Sequence, residues 1–389
     1  MGSSANRMNR RQLLAGAGAA FAVGSWRARG AEQKSASALS LAPVRAGMDR
    51  VTRITVCTRP FRPLGPRIEA EKFDAKTVIH NYGHGGSGWS LSWGSGTIAT
   101  EMAMATGEKD IAVIGCGALG LSAALLLQRA GATVTIYAKD LPPNVRSSLA
   151  TGLWTPSSRI CFEENATPAF KQQWERMCRI THATYQTLLG LPGDPIEWID
   201  RYFISEARGQ RRREQPADGR AAFAELEREL VPDLLSAQEE YGPGSHLFGP
   251  RWAYRNSTIM FNVSAYSIFL ISQFREAGGK IVIREFHSPH ELAALPQTTI
   301  VNCTGYGAKA LFGDQSLIPV RGQLARGITQ PDVSYSLSYK GAAFVPRRDG
   351  QVYLVVGDSD YYGFDDETTQ PDRAEAEKAV ATIASLFEV

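Results

Sequence analysis

The feature that most constrains this chain is the run Ile111-Ala-Val-Ile-Gly115-Cys-Gly117-Ala118-Leu119-Gly120. An apolar strand leads straight into three glycines, a helix-like run Leu121–Ala130 follows, and a second apolar strand, Ala132–Tyr137, comes next. This is a βαβ unit with G-x-G-x-x-G at its first turn. Gly115 permits the tight turn, Gly117 lets backbone approach a pyrophosphate, and Gly120 lets helix and strand pack closely. The helix N-terminus offers free N–H groups and a positive dipole end to phosphates, and Ala118 and Leu119 in the turn are counted with the glycines as cofactor-binding. Strand, turn, helix and second strand fall in register, so the run reads as a dinucleotide site on a doubly wound α/β framework.

A second glycine motif precedes the first. Residues 80–95 read His-Asn-Tyr-Gly83-His84-Gly85-Gly86-Ser87-Gly88-Trp89-Ser90-Leu-Ser-Trp-Gly-Ser, and upstream lie Arg59-Pro-Phe-Arg62-Pro and Pro66-Arg-Ile-Glu69. Together they resemble the C-terminal motifs of the D-amino-acid oxidase family of FAD enzymes. In that family these motifs follow the Rossmann unit, whereas here they precede it. Other segments resemble the family in order: Ala150-Thr-Gly152-Leu153-Trp-Thr-Pro156, Val301-Asn-Cys-Thr304-Gly305 and Pro319-Val-Arg-Gly-Gln323. The resemblance thus covers nearly all of residues 50–389 in circularly permuted order, with the new join at Met104–Asp110. Permutation of this kind is tolerated because domain termini lie at the surface and often close together.

The resemblance implies a discontinuous Rossmann-like FAD-binding domain, residues 51–157 and 262–318, beside an α+β substrate domain with a mixed or antiparallel sheet, residues 158–261 and 319–389. In the first we expect a helix Ala265–Ala277 and strands Lys280–Arg284 and Thr299–Cys303. In the second we expect helices Ala169–Leu189 and Ala221–Leu230, and strands Trp198–Ser205, Ser257–Asn262 and Val352–Val356. Residues 32–50 are Ser/Ala-rich and read as an extended or disordered linker, and Arg208–Arg220 as a charged surface loop.

The resemblance also implies site residues. Gly83–Gly88 would wrap under the flavin, and a helix starting near Trp89 or Ser90 would favour negative charge at the pyrimidine end of the ring. His84 reads as a side chain that organises this backbone. Arg146-Ser147-Ser148 falls where the family contacts the pyrophosphate. The acid that ends the second Rossmann strand and binds ribose has no counterpart in register. Lys139 stands there, followed by Asp140, so either Asp140 takes the role or the ribose is held differently. Lys139 alone would favour NADP. A substrate carboxylate calls for an arginine fork. Arg59 aligns with the family's carboxylate-binding arginine, and Arg62 with a more structural one. A tyrosine near the active site is sought in Tyr241–Asn256, with Trp252, Tyr254 and Arg255 as candidates.

The function implied is oxidation of an amino acid, in particular a D-amino acid, to the imino acid. O2 would be reduced to peroxide, and the imine hydrolysed to a 2-oxo acid and ammonia. A dehydrogenase passing electrons to a quinone or protein, and a non-catalytic flavin-binding protein, are the alternatives.

Net charge is +3, but five arginines precede the first acidic residue, Glu32, so the remainder is slightly acidic and argues against a nucleic-acid-binding surface. Asn9-Arg10-Arg11-Gln-Leu-Leu14 resembles a twin-arginine export motif, with an apolar run to Gly24 too short to span a membrane and a cleavage region at Ala28–Ala31. Residues 1–31 are therefore expected to engage the twin-arginine machinery and direct the protein to the periplasm or beyond. The five cysteines include no C-x-x-C pair, and His287 and His290 flank Ser-Pro in a loop and do not make up a recognisable ligand set, so no metal site is expected.

Overall fold

The structure, a computed structural model, describes residues 40–209, 219–357 and 359–388. The expected export signal, residues 32–39 of the linker and the middle of the Arg208–Arg220 loop lie outside them. In chain order the strands are β1 (Val51–Phe61), β2 (Arg67–Phe73), β3 (Lys76–Tyr82), β4 (Asp110–Ile114), β5 (Thr133–Ala138), β6 (Ile196–Ser205) and β7 (Glu239–Tyr241). They continue as β8 (Trp252–Phe261), β9 (Lys280–Ile283), β10 (Thr299–Asn302), β11 (Ile318–Gly327), β12 (Tyr335–Tyr339), β13 (Ala342–Val345) and β14 (Gln351–Val355).

Six of them form a sheet in the order β2-β3-β10-β4-β5-β9, parallel throughout except for the antiparallel edge pair β2–β3. The central strand β4 is apolar from Ile111 to Ile114 because both faces are covered. On one face lie the helices Gly88–Met104, Ala118–Arg129 and Val263–Glu276. Leu292, Leu295 and the outward side chains of β3, β4 and β10 pack on the other. The second sheet has the order β1-β11-β14-β13-β12-β6-β8-β7 and is antiparallel except at β12–β6. One of its faces carries the Arg373–Ala384 helix, and the other looks toward the first sheet.

Three expectations change. Residues 51–61 do not join the nucleotide-binding sheet. β1 pairs along its length with β11, from Val51↔Gly327 to Phe61↔Ile318. Residues 67–104 do join the six-stranded sheet, directly beside β10. Residues 221–230 are helical only at Glu227–Leu230, since Phe223 instead bridges Phe162 inside an aromatic cluster with Phe61. Residues 40–50 are packed and not extended free in solvent. Val44 is buried, Gln330 donates to the Pro43 carbonyl, and Tyr335 donates to that of Ala42.

Candidate active site

Between the sheets lies a cavity of about 1670 Å³, larger than the usual ~300–1000 Å³ ligand pocket and sized for a long cofactor with a substrate. Gly115 leaves β4 at φ +106°, donating its N–H to Tyr137 O, and a Cβ there would meet Cys303 O at 2.6 Å. The next helix starts at Ala118 with no side-chain cap from Gly117, and Ala118 N donates to Ser147 Oγ at 3.1 Å. Gly120 faces the strand and not the cavity: a Cβ would sit 2.0 Å from Gly115 O.

The second motif reaches the same cavity from the other side. Gly85, at φ +54°, donates to Pro60 O at 2.8 Å, and Gly86 donates to Ser158 O at 2.8 Å. Ser87 bonds Thr155 O and Ser158 O through its hydroxyl, so it leaves the helix beginning at Gly88 uncapped. Trp89 Nε1 donates to Ser147 O at 2.9 Å, which ties the two motifs together. Two helix N-termini whose N-cap residues give no side-chain cap therefore face one cavity, an arrangement that suits an anionic cofactor. Both ring nitrogens of His84 and the indole N–H of Trp154 are buried at its wall without a protein partner. Burial pushes the His84 imidazole down to about 3, so it is neutral. The two helix N-termini, the close-set glycines and these unpaired polar atoms fit a dinucleotide.

The lining brings together Gly115, Gly117, Ala118, Leu119, Lys139, Asp140, Arg146, Ser147, Gly152, Leu153, Thr304 and Gly305 with His84, Gly85, Gly86, Gly88, Trp89 and Ser90. Gly83, Ser87, Gly120 and Ser148 shape the walls from behind. Gly83 packs on the Arg62 side chain, and Ser148 is buried with its carbonyl bound by Arg326. Lys139 is ion-paired at 3.1 Å to Glu285, itself in the lining, and the Arg146 guanidinium lies 5.2 Å from the Tyr306 ring centre. Sequence reasoning passed over Trp154, Glu285 and Tyr306. Trp154 stands inside a segment that carries the family resemblance. Glu285 had no signal, because its place is set by pairing of β9 with β5.

At the substrate end, Arg59 lines the cavity from β1 and donates to Arg321 O at 3.1 Å. Its guanidinium lies over Gly322, where a Cβ would come within 2.5 Å of Nη2. Arg62 points elsewhere, to Asp314 at 3.3 Å and to Ser316 and the Gly65 carbonyl. The expected aromatic partners fare differently. Tyr254 lines the cavity, but its hydroxyl accepts the Gly209 N–H at 2.6 Å. Trp252 does not line it, and its ring lies under the Arg208 guanidinium. Of the two, only Tyr254 reaches the cavity wall. Among the described residues no cluster of His, Cys, Asp and Glu is suited to a metal, and no helix is long and apolar enough to cross a membrane.

The profile of the family described as "FAD dependent oxidoreductase" (DAO) matches residues 110–388. The chain belongs to the DAO family of FAD-dependent oxidoreductases. It is 30% identical over 280 residues to the D-amino-acid oxidase of Rubrobacter xylanophilus, covering 70% of this chain and 76% of that protein. It is 27% identical to the D-amino-acid oxidase of Dictyostelium discoideum, over 72% of this chain and 74% of that protein. Among solved structures it resembles glycine oxidase from Geobacillus kaustophilus, with TM-score 0.48 and 13% identity, over 72% of this chain and 78% of that one. The cofactor is FAD, as in the DAO family at large, and the enzyme class is amino-acid-oxidase-like oxidoreductase.

Proposed function

We propose that this DAO-family enzyme oxidises D-amino acids with O2, yielding the imino acid and hydrogen peroxide, the imine then hydrolysing to a 2-oxo acid and ammonia. The observation that carries this reading is Arg59. It is half-buried on the cavity wall and one residue from the Pro60 carbonyl that anchors Gly85. Among the described residues no carboxylate lies within ion-pair distance of it, whereas Arg62 is neutralised by Asp314. An arginine held open beside the flavin loop is suited to a substrate carboxylate, which it would grip by two parallel charge-assisted hydrogen bonds. Bound FAD supplies the hydride acceptor. The protein's part is to fix the substrate's orientation, to exclude water, and to present the N-terminus of the Gly88–Met104 helix to negative charge on the ring.

The test is anaerobic titration of the yellow protein with D-amino acids, L-amino acids and N-methylglycine, then admission of air. Bleaching by D-amino acids with peroxide formed on reoxidation is expected. Bleaching without peroxide would replace O2 by another acceptor, and bleaching by L-amino acids alone would overturn the stereochemistry.

We also infer that the chain is a circular permutation of the family order and is exported. The family profile starts at Asp110, yet β2 and β3, which precede it, complete the sheet that contains β4. A chain in which residues 51–104 are moved behind residue 388 should fold and bind FAD. The Arg10-Arg11 pair supports twin-arginine export to the periplasm, and replacing both by lysine should retain the protein in the cytoplasm.

A further inference from the structure

A line of polar groups runs from the exposed surface of β2 through the buried His80 and Asn302 to the cavity wall. Arg67 Nη2 lies 2.8 Å from Glu71 Oε2, and the same oxygen lies 2.9 Å from His80 Nε2. His80 Nδ1 is 3.0 Å from Asn302 Nδ2, and Asn302 Oδ1 receives both the N–H and the hydroxyl of Thr304, at 3.2 and 2.8 Å. His80 and Asn302 are directly paired on β3 and β10 and are fully buried. Thr304 and Gly305 line the cavity just after β10, against the Gly115 turn.

The proton positions follow from the donors. The Thr304 N–H can only donate, so Asn302 must turn its oxygen toward it. That leaves the Asn302 amide N–H₂ facing His80 Nδ1, which must then be the bare, accepting nitrogen. The ring proton therefore sits on Nε2 and is given to Glu71. Charging the ring would place a donor on Nδ1 against the donor on Asn302, and the amide could keep its bond to His80 only by flipping away from Thr304. Burial pushes the His80 imidazole below its usual range, and Arg67 does so further, against the opposing pull of Glu71.

We propose that His80 is a positioning residue for the cofactor: Glu71 fixes its tautomer, its Nδ1 fixes the orientation of Asn302, and Asn302 holds Thr304 and Gly305 in the shape that receives FAD. This rests on the FAD site of the family and not on the choice of substrate.

The test measures FAD affinity of the apoprotein by flavin fluorescence, with the apoprotein's thermal midpoint beside it. His80→Asn can place an amide oxygen where Nδ1 accepts and should keep the Kd within about twofold of wild type. His80→Gln can mimic Nε2 but leaves Asn302 without its acceptor, and should raise the Kd about tenfold, a loss equivalent to one buried hydrogen bond. Both remove the ring packed against Tyr82 and Phe312, so both should lower the apo midpoint alike. Equal FAD affinity in the two variants, whether normal or weakened, would overturn the proposal. Should His80→Gln not accumulate, Glu71→Leu, at a half-exposed position, must weaken FAD binding with the apo midpoint unchanged; unchanged affinity there would overturn it as well. Substrate turnover enters neither readout, so the proposal fails or stands apart from the assigned reaction.

Discussion

Arg59 and Arg62 are three residues apart and chemically identical, yet the fold gives them opposite surroundings. Loss of a fork of two charge-assisted bonds at Arg59 should cost about 3–5 kcal/mol of transition-state stabilisation. Arg59→Ala should therefore lower kcat/KM by a few hundred-fold or more, with FAD content unchanged. Arg59→Lys should recover only part of this. Steady-state kinetics on the best bleaching substrate checks both, and near wild-type efficiency in Arg59→Ala would mean that the substrate is not held as a carboxylate. His84 gives a pH signature. Its folded imidazole is pushed down to about 3 by burial, against about 6.5 in the unfolded chain. Above 6.5 neither state takes the proton and stability is unaffected. As pH falls from 6.5 toward 3 the unfolded state alone is protonated, and stability drops by up to about 1.4 kcal/mol per pH unit. The thermal midpoint of the apoprotein should fall over this window, and less steeply in His84→Gln. His80 shifts in the same direction, so the slope should be reduced and not abolished.

At the scale of the element, the Gly88–Met104 helix does two jobs. Its N-terminus faces the cavity, and its middle is pressed against the Pro168–Gln186 helix. A Cβ at Gly94 would lie 2.2 Å from Met177 O and 2.3 Å from Met177 Cα, and the Gly94 N–H bonds Thr181 Oγ1 at 2.8 Å. Alanine is the better helix former by roughly 0.5–1 kcal/mol, but forcing two backbones apart in a packed core costs typically ~1–3 kcal/mol. Overpacking wins, because the obstructing atoms are backbone and cannot rotate away. Gly94→Ala should lower the thermal midpoint by a few degrees, measured by circular dichroism; a raised midpoint would show that the helices can separate freely.

For the whole molecule, the chain crosses repeatedly between sheets. β1 lies in the eight-stranded sheet, β2 to β5 in the six-stranded one, β6 to β8 in the larger, β9 and β10 in the smaller, and β11 to β14 in the larger again. The segment Arg146–Arg159 is bound to both glycine motifs and to β8 through Trp154 N and Ile259 O. Neither sheet can come apart without exposing the core of the other. The protein should unfold in one transition, with far-UV and near-UV signals coincident, and FAD at a hundred times its Kd should add about 2.7 kcal/mol. Separate transitions for the two signals would show that the sheets are independent folding units.

The sequence by itself determined what is local. The turn at Gly115 and a helix after it follow from short-range sterics and the run of apolar residues, and the family resemblance added a helix near Trp89 or Ser90 and Thr304 just after a strand. All are present, with the helices beginning earlier than expected, at Ala118 instead of Leu121 and at Gly88. Only the tertiary structure decided what depends on partners far along the chain. β1 has no strict alternation that would assign it to either sheet, and its membership is settled by β11, more than 250 residues away. Tyr254 and Trp252 share a face of β8, yet Tyr254 reaches the cavity wall while the Trp252 ring lies against Arg208 outside it. The His80–Asn302 bond joins strands separated by 222 positions, and hydrogen bonding is decided by distance in space, which no reading along the chain supplies.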